Sequence, residues 1–459
     1  MTNRVENNKS SQTLVIPATE PGSSPINNTC HPGLDPGSKS YNKRVFMINR
    51  VRGTQDLLNL TLQNFILDRL KKHAQIYNFA QIETPILEYT KLFVHSLGEQ
   101  TDVVSKEMYV FEAENDEESI CLRPEDTAST IRAYFENSIE EKPYKVFSFG
   151  PMFRRERPQK GRWRQFDQLN FEVINTESTA QDVHFIKMLN SFFSEELKLE
   201  KYILKLNFLG CIDDRVKHKN ALKKYLDSVD SQICDTCKIR KESNILRIFD
   251  CKNDACQKAY VNSPKLTDYL CDTCSKEWEN IKENLQILSI NFVLDSKLVR
   301  GLDYYNKVVF EFASTELGAQ NAFCGGGRYS LGHEVGAKDD FPSVGAAIGL
   351  GRLLLLVENN KEKLNIPTPP TLYLILPMDQ KQHSLALLLS DELQSNKFCT
   401  DILLEGSNIK NMMKKANKLG AKKVLIIGED EQNTNTITIK NMLTGDSINV
   451  KQSEVIKNL

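Results

Sequence analysis

Along residues 57–77 the apolar positions Leu58, Leu62, Ile66 and Leu70 recur at helical spacing, with Leu67 and Ile76 beside that stripe. One apolar face repeating near 3.6 residues predicts a long amphipathic helix. Strand character follows through Ile82 and Ile86, interrupted by Pro85, which cannot donate to a ladder and so favours an edge or an interface position. Residues 108–111 and 119–122 read as a hairpin around the acidic turn 112–118, whose tip is exposed. Phe147, Phe149 and Phe153 then share one parity, so Ser148 and Arg154 project to the opposite face of a strand. In the next strand Leu169, Phe171 and Val173 take one face, while Phe166, Gln168, Asn170 and Glu172 take the other. Paired as an antiparallel hairpin, these runs give an apolar side for a core and a polar side that serves as a ligand-binding floor.

After residue 209 the pattern becomes charged and helical until about 289, and strand character returns at 292–294 and 307–312. The intervening block is read as an insertion in a sheet domain. The apolar runs 346–350 and 353–357, with Arg352 between them, predict a strand feeding a buried helix, and the proline-rich linker 365–370 closes this part of the chain. Beyond it, strands at 372–376, 400–404 and 423–427 alternate with helices at 380–394 and 409–419. That alternation implies a small α/β domain with a mostly parallel sheet, extended by a final hairpin around Thr444, Gly445 and Asp446. Residues 1–46, rich in Asn, Ser, Pro, Gly and Thr, carry no patterned apolar positions and read as a disordered extension, with Met47 as the functional start.

Composition narrows the function classes. The 459 residues suffice for two or three domains, and 59 basic against 60 acidic residues leave a net charge of −1, so any contact with nucleic acid has to be local. No apolar run approaches a membrane span, and no secretory signal opens the chain, which points to the cytoplasm. Eleven cysteines, an odd number without an export signal, argue for a reducing compartment. Cys30, Cys121, Cys211, Cys324 and Cys399 are scattered and read as small buried hydrophobes.

The local charge is concentrated in the loop of the hairpin 149–172. Arg154, Arg155, Arg157, Lys160, Arg162 and Arg164 crowd there with only Glu156 to offset them, a density that suits a triphosphate or the end of a nucleic acid. Three further strings belong with it: Arg123-Pro124-Glu125-Asp126-Thr127, Val299-Arg300-Gly301-Leu302-Asp303-Tyr304-Tyr305, and Cys324-Gly325-Gly326-Gly327-Arg328-Tyr329. With these residues the chain resembles the histidyl-tRNA synthetases, a family of class II aminoacyl-tRNA synthetases, over nearly all of 47–459. Motif 1 of the class matches the helix and the strand ending at Pro85, motif 2 the basic hairpin, and motif 3 residues 345–352.

The resemblance implies an α+β protein. Its antiparallel-sheet catalytic domain would span 47–370, with the helical insertion at about 210–289, and an α/β anticodon-binding domain would span 371–459, in a homodimer. It implies activation of L-histidine with ATP to histidyl-adenylate, then transfer to the 3′ end of tRNA(His), with Mg²⁺ accompanying the nucleotide. By resemblance Arg154 clamps the α-phosphate and the substrate carboxylate, and Arg300 stands beside the α-phosphate as an electrophile in place of a metal ion. Glu156 contacts the adenine amino group, Phe166 stacks on the ring, Arg352 covers its other face and Arg162 reaches the γ-phosphate. Glu125, Thr127 and Gln168 match the acceptors for the α-ammonium group. Glu172 and Tyr305 match the partners of the imidazole nitrogens, and Tyr304 and Tyr329 line the pocket. Arg157, Gln159 and Arg164 are placed to meet the tRNA acceptor end. Lys410, Lys414, Lys415 and Lys418 on the helix 409–419 either contact phosphates or form a solvated face.

Three positions depart from the family pattern. Asp126 stands where glycine is common, Ser330 replaces an aspartate, and Gly351 replaces a glutamate before the motif 3 arginine, a loss that weakens the expected hold on Mg²⁺-ATP. The insertion carries Cys234-x-x-Cys237 and Cys271-x-x-Cys274, with Cys251 and Cys256 between them. Four thiolates at Cys234, Cys237, Cys271 and Cys274 suit tetrahedral Zn²⁺, and reduced structural thiols are the other reading. Against the enzyme stand two alternatives, a non-catalytic paralogue that binds histidine and a tRNA-binding protein without activation chemistry. Regulatory paralogues generally lack the arginine-bearing string at 299–305 and the C-terminal domain.

Overall fold

The helix predicted over 57–77 forms as Thr61–Ile76 and buries Phe65, Ile66, Leu70 and Ala74. The period and the phase were both legible, since Ile66 and Leu70 are buried and Leu62 and Leu67 pack against the same core; Leu58 lies before the first turn and is exposed, as is Ile76, and Phe65 adds a contact that was not counted. In this computed structural model residues 48–99, 101–112, 118–159, 161–318, 321–405 and 408–459 are described. The extension 1–46, Met47, the tip of the acidic hairpin and Lys160 lie outside the described residues. The chain from Arg50 to Leu459 forms one compact unit, and of the other, Met1–Asn49, only Ile48 and Asn49 are described.

An eight-stranded sheet organises the larger part. Its spatial order is Ala80–Gln81, Tyr144–Phe153, Gln165–Ile174, Pro342–Gly349, Ala322–Ser330, Tyr305–Ala313, Ile203–Phe208 and Val293–Leu294. All neighbours are antiparallel except the outermost pair at each edge. Pro85 falls where the chain leaves this sheet for a separate three-stranded one, made of Leu87–Tyr89, Ile120–Leu122 and Tyr109–Phe111. Period-two alternation places Phe147, Leu169, Phe171, Val173, Ile348, Phe310 and Phe312 on one side, where they join a single large core with the helices Thr61–Ile76, Thr179–Ser191 and Leu350–Glu358.

The insertion is helical as expected, with its own small core between Leu222 and Tyr260. Its last helix, Asp272–Ile287, sends Trp278, Ile281 and Leu285 into the main core, so the residues there pack with the sheet and not with the rest of the insertion. At the C-terminus a five-stranded sheet runs Cys399–Ile402, Leu372–Pro377, Lys423–Ile427, Thr436–Asn441, Ser447–Lys451. The first three strands are parallel and the last two antiparallel, with cores on both faces.

Candidate active site

The face of the eight-stranded sheet away from the main core is hollow along its middle. Register places Glu172 opposite Gly345 and Gly345 opposite Gly327; one row along, Asn170 faces Ala347, Ala347 faces Gly325 and Gly325 faces Glu311. Two central strands therefore present almost no side chain, while Gln168, Asn170 and Glu172 rise on one flank and Glu311 and Tyr305 on the other. The hollow is needed: a Cβ at Gly325 would lie 2.2 Å from Arg300 Nη1, and one at Gly345 only 1.6 Å from Glu172 Oε2. Above the trough lies a cavity of about 470 Å³, a size that fits a small ligand.

Four arginines line it from different elements. Arg154 leaves the end of Tyr144–Phe153, is tethered by Nε to the Pro124 carbonyl at 2.9 Å, and holds its guanidinium 5.4 Å from the Phe166 ring centre. Arg300 pairs with Glu311 at 3.1 Å, and its buried Nε has no partner among the described residues. Burial disfavours its charge, but Tyr305 and Glu311 outweigh burial and hold its pKa above the ordinary value. Arg352 donates to the Gly161 carbonyl at 3.2 Å and the Ala322 carbonyl at 2.6 Å, tying the basic loop to the helix Leu350–Glu358. Arg162 pairs with Glu156 at 2.8 Å.

The acceptors are also fixed before any ligand arrives. Glu125 takes the backbone N–H groups of Thr127 and Ala128 at 2.8 and 2.9 Å, capping the helix Thr127–Glu136, and burial raises its pKa. The buried Oε1 of Gln168 has no partner among the described residues. Thr127 Oγ1 donates to Glu172 Oε1 at 2.7 Å and Tyr329 OH to Oε2 at 2.6 Å. Burial pushes Glu172 up to about 8, against those two hydrogen bonds. Tyr304 packs on Tyr305 and Tyr329 with ring centres 4.5 and 5.4 Å away.

Eleven residues expected at the site line the one cavity: Glu125, Thr127, Arg154, Glu156, Arg162, Phe166, Gln168, Arg300, Tyr304, Tyr305 and Arg352. Glu172 and Tyr329 stand one layer below, reached through Thr127. Arg157 and Gln159 project into solvent from the loop. Arg164 does not project with them; it lies against Gly53 and donates to the Glu156 carbonyl at 3.4 Å, bracing the base of the hairpin. Sequence reasoning missed Glu311, although it shares the parity of Tyr305 and Val309 and interrupts the apolar run 308–313, and that lone acid was the available signal. It also missed Trp163 and Asp167, which line the cavity.

The departures are absorbed differently. Asp126 is fully buried, pairs with Arg123 at 2.8 Å, accepts from Thr84 Oγ1 at 2.5 Å and takes the Ser148 hydroxyl. Ser330 lines a second cavity with Arg328 and Asp340, away from the trough. Gly351 lines the main cavity, and a Cβ there would meet nothing within 4 Å. The expected cysteine quartet is corrected: Cys234 and Cys237 converge with Cys251 and Cys256, whereas Cys271 and Cys274 converge with Cys211 and Asp214. CxxC pairs are local motifs, and the fold between them decides which pairs meet.

Residues 59–353 match the family described as histidyl-tRNA synthetase, and residues 373–459 match the anticodon binding domain. The histidine–tRNA ligase of Halothermothrix orenii is 40% identical over 414 residues, covering 89% of this chain and 98% of the relative. That of Thermosipho melanesiensis is 39% identical over 419 residues, with the same coverage. The crystal structure of apo histidyl-tRNA synthetase from S. aureus superposes with a TM-score of 0.72 at 31% identity, covering 90% of this chain and 99% of the other. With the glycine-floored trough and the four arginines that line the cavity above it, these likenesses make the chain a member of the histidyl-tRNA synthetase family.

Proposed function

We propose that the chain joins L-histidine to ATP and passes the histidyl group to tRNA(His), and that the cavity above the trough performs the first step. A substrate carboxylate oxygen attacks the α-phosphorus, the bond to the β-phosphate oxygen breaks, and pyrophosphate leaves with its electron pair. Charge gathers on the α-phosphate oxygens as this happens, so catalysis needs cations already in place. Arg154 and Arg300 fill that role from opposite flanks: both are held by protein groups, which removes the cost of ordering them during reaction. The observation that carries the reading is Arg300, laid on the bare backbone of Gly325 and paired with Glu311.

Phe166 and Arg352 are suited to sandwich the adenine, with Glu156 taking its amino group and Arg162 swinging from Glu156 to the terminal phosphates. Glu125, Gln168 and Thr127 supply acceptors for the α-ammonium group, the free Gln168 Oε1 being the clearest of them. The imidazole meets Tyr305 directly and Glu172 at the base of the pocket. Glu156 and Glu311 are each already paired with an arginine, and Gly351 adds no carboxylate, so Mg²⁺ is best read as entering with the nucleotide substrate. In the second step the terminal ribose hydroxyl attacks the acyl carbon and AMP departs. The exposed Arg157 and Gln159 are the loop residues available to meet the acceptor end.

Exposed Leu57, Leu58, Leu60, Ile76, Ile86 and Leu87 around the first helix and the following strands support a homodimer through this surface. No helix among the described residues is long and apolar enough to cross a membrane, and the ten described cysteines are free, which fits a cytoplasmic enzyme. Histidine-dependent exchange of labelled pyrophosphate into ATP tests the reading. Arg300→Ala is expected to lower kcat about 10²-fold or more, as for other preorganised charge stabilisers. No exchange by well-folded native protein overturns the enzyme reading, and exchange indifferent to the substitution overturns the role of Arg300.

A further inference from the structure

We infer that Cys234, Cys237, Cys251 and Cys256 form a tetrathiolate Zn²⁺ site, and that the lobe it closes braces the segment carrying Arg300. The four Sγ atoms lie within 4.8 Å of one another, and Sγ of Cys234 is 3.9 Å from Sγ of Cys251. Four sulfurs at a Zn–S distance of about 2.3 Å stand about 3.8 Å apart along a tetrahedron edge, whereas a disulfide needs about 2.05 Å. The sulfurs are thus at coordination spacing.

The local backbone sets that spacing. Cys234 precedes the helix Asp235–Ser243 and Cys237 lies in its first turn, where its N–H reaches the Cys234 carbonyl at 2.9 Å. Cys251 follows the short helix Ile245–Asp250, and Cys256 lies in Asp254–Ala259. Backbone N–H groups already point at two of the sulfurs, from Cys234 to Cys256 at 3.2 Å and from Asn253 to Cys251 at 3.5 Å. The lobe needs such a fastening: its core is confined to Leu222–Tyr260 and holds nine buried residues, two of them cysteines. Units of about 40 residues or fewer usually require metals or cross-links. Zn²⁺ binding replaces the four S–H protons, which pass to solvent, and leaves a site of net charge −2.

The other cluster lacks this need. Both oxygens of Asp214 are occupied by backbone N–H groups, Cys211 at 3.3 Å and Cys271 at 2.9 Å, and Cys274 belongs to the main core. There the carboxylate already joins two helix starts.

What the zinc lobe holds is shown by the segment between its two ligand pairs. Asn244 Nδ2 donates to both carboxylate oxygens of Asp303, at 3.0 and 2.9 Å. Arg247 donates to the Gly301 carbonyl and pairs with Asp250 at 2.7 Å, while Arg240 holds the Arg247 carbonyl at 3.1 Å. Gly301 directly follows Arg300, and Asp303 stands two residues further on. Asn244 and Arg247 are therefore positioning residues, and the metal fixes the turn from which they act.

The test uses the full chain purified under reducing conditions without chelator. Elemental analysis should find one zinc per chain, and cobalt-loaded protein should show the thiolate charge-transfer bands and intense visible bands of a tetrahedral sulfur site. Cys251→Ser and Cys256→Ser should abolish stoichiometric zinc, and Cys274→Ser should retain it. Absence of zinc and of the cobalt spectrum overturns the site; loss in Cys274→Ser with retention in Cys251→Ser overturns the ligand set. Asn244→Ala should keep its zinc yet lower kcat for pyrophosphate exchange about tenfold, the weight of one hydrogen bond to a charged group. Exchange unchanged after zinc removal and in Asn244→Ala overturns the bracing. That last readout rests on the proposed activity, but zinc content does not: a zinc-loaded protein without exchange defeats the activity and leaves the site standing.

Discussion

Glu172 carries a proton in the folded chain at a pH where it would lose it in water. Burial raises it from 4.5 to about 8, while Thr127 and Tyr329 donate to its two oxygens. Below pH 4.5 both folded and unfolded chains hold the proton, and between 4.5 and 8 only the folded chain does. The folded state then binds more protons than the unfolded, so stability falls as pH rises through that window and levels off above it. Glu172→Gln keeps a neutral acceptor for Tyr329 and removes the titration. Denaturant melts should show wild type losing about 1 kcal/mol or more relative to Glu172→Gln between pH 5.5 and 8.5; parallel pH profiles would remove this account of Glu172. Asp126 differs in facing a buried cation. Its partner Arg123 is only 2% exposed and donates to Asp126 at 2.8 Å and to the Thr84 carbonyl at 3.1 Å. Asp126→Ala leaves a buried guanidinium unneutralised, and a loss of about 3 kcal/mol is expected in the same melts. A change below 0.5 kcal/mol would mean that the departure from glycine carries no structural weight.

At the scale of elements, legibility followed the width of the apolar face. The hairpin 144–174 was readable because an antiparallel pair with one face on a core alternates cleanly, and the observed register keeps Gln168, Asn170 and Glu172 together on the open side. The trough was not readable: glycines at 325, 327, 345 and 349 lie on two strands, and only pairing shows that they adjoin. The first helix was found in phase but with its ends misjudged: Ile66 and Leu70 are buried as expected, whereas Leu58 and Ile76 are exposed and the buried Phe65 and Ala74 were not counted. The short helix Glu429–Thr434 was missed because it has no buried residue; Glu431 closes its start by accepting from the Gly428 N–H at 2.9 Å, and no apolar period announces such an element. The cysteine pairs failed for the same reason as the trough. Sequence spacing identifies each pair, whereas the partner pair is chosen by helices that bring residue 211 to 271 and residue 234 to 251.

The whole molecule separates its two tasks, since the cores of the C-terminal sheet contain only residues from 372 onward and share nothing with the catalytic sheet. With a net charge of −1, attraction for tRNA has to come from local surfaces. On the helix Ile409–Lys418 the buried Met412 and Ala416 face the domain, while Lys410, Lys414 and Lys418 recur at a spacing of four on exposed positions. Lys415 is committed to the Glu405 carbonyl at 3.1 Å. Replacing Lys410, Lys414 and Lys418 together by alanine leaves the apolar face intact, so histidine-dependent pyrophosphate exchange should be unchanged. The KM for tRNA in aminoacylation should rise and become less sensitive to salt, its logarithmic slope falling by about 0.7–0.9 for each phosphate contact removed. If charging kinetics and salt slope match wild type, these lysines form a solvated face and the tRNA is held elsewhere. If exchange falls in parallel with charging, the helix is coupled to the catalytic sheet, and the separation argued from their cores is wrong.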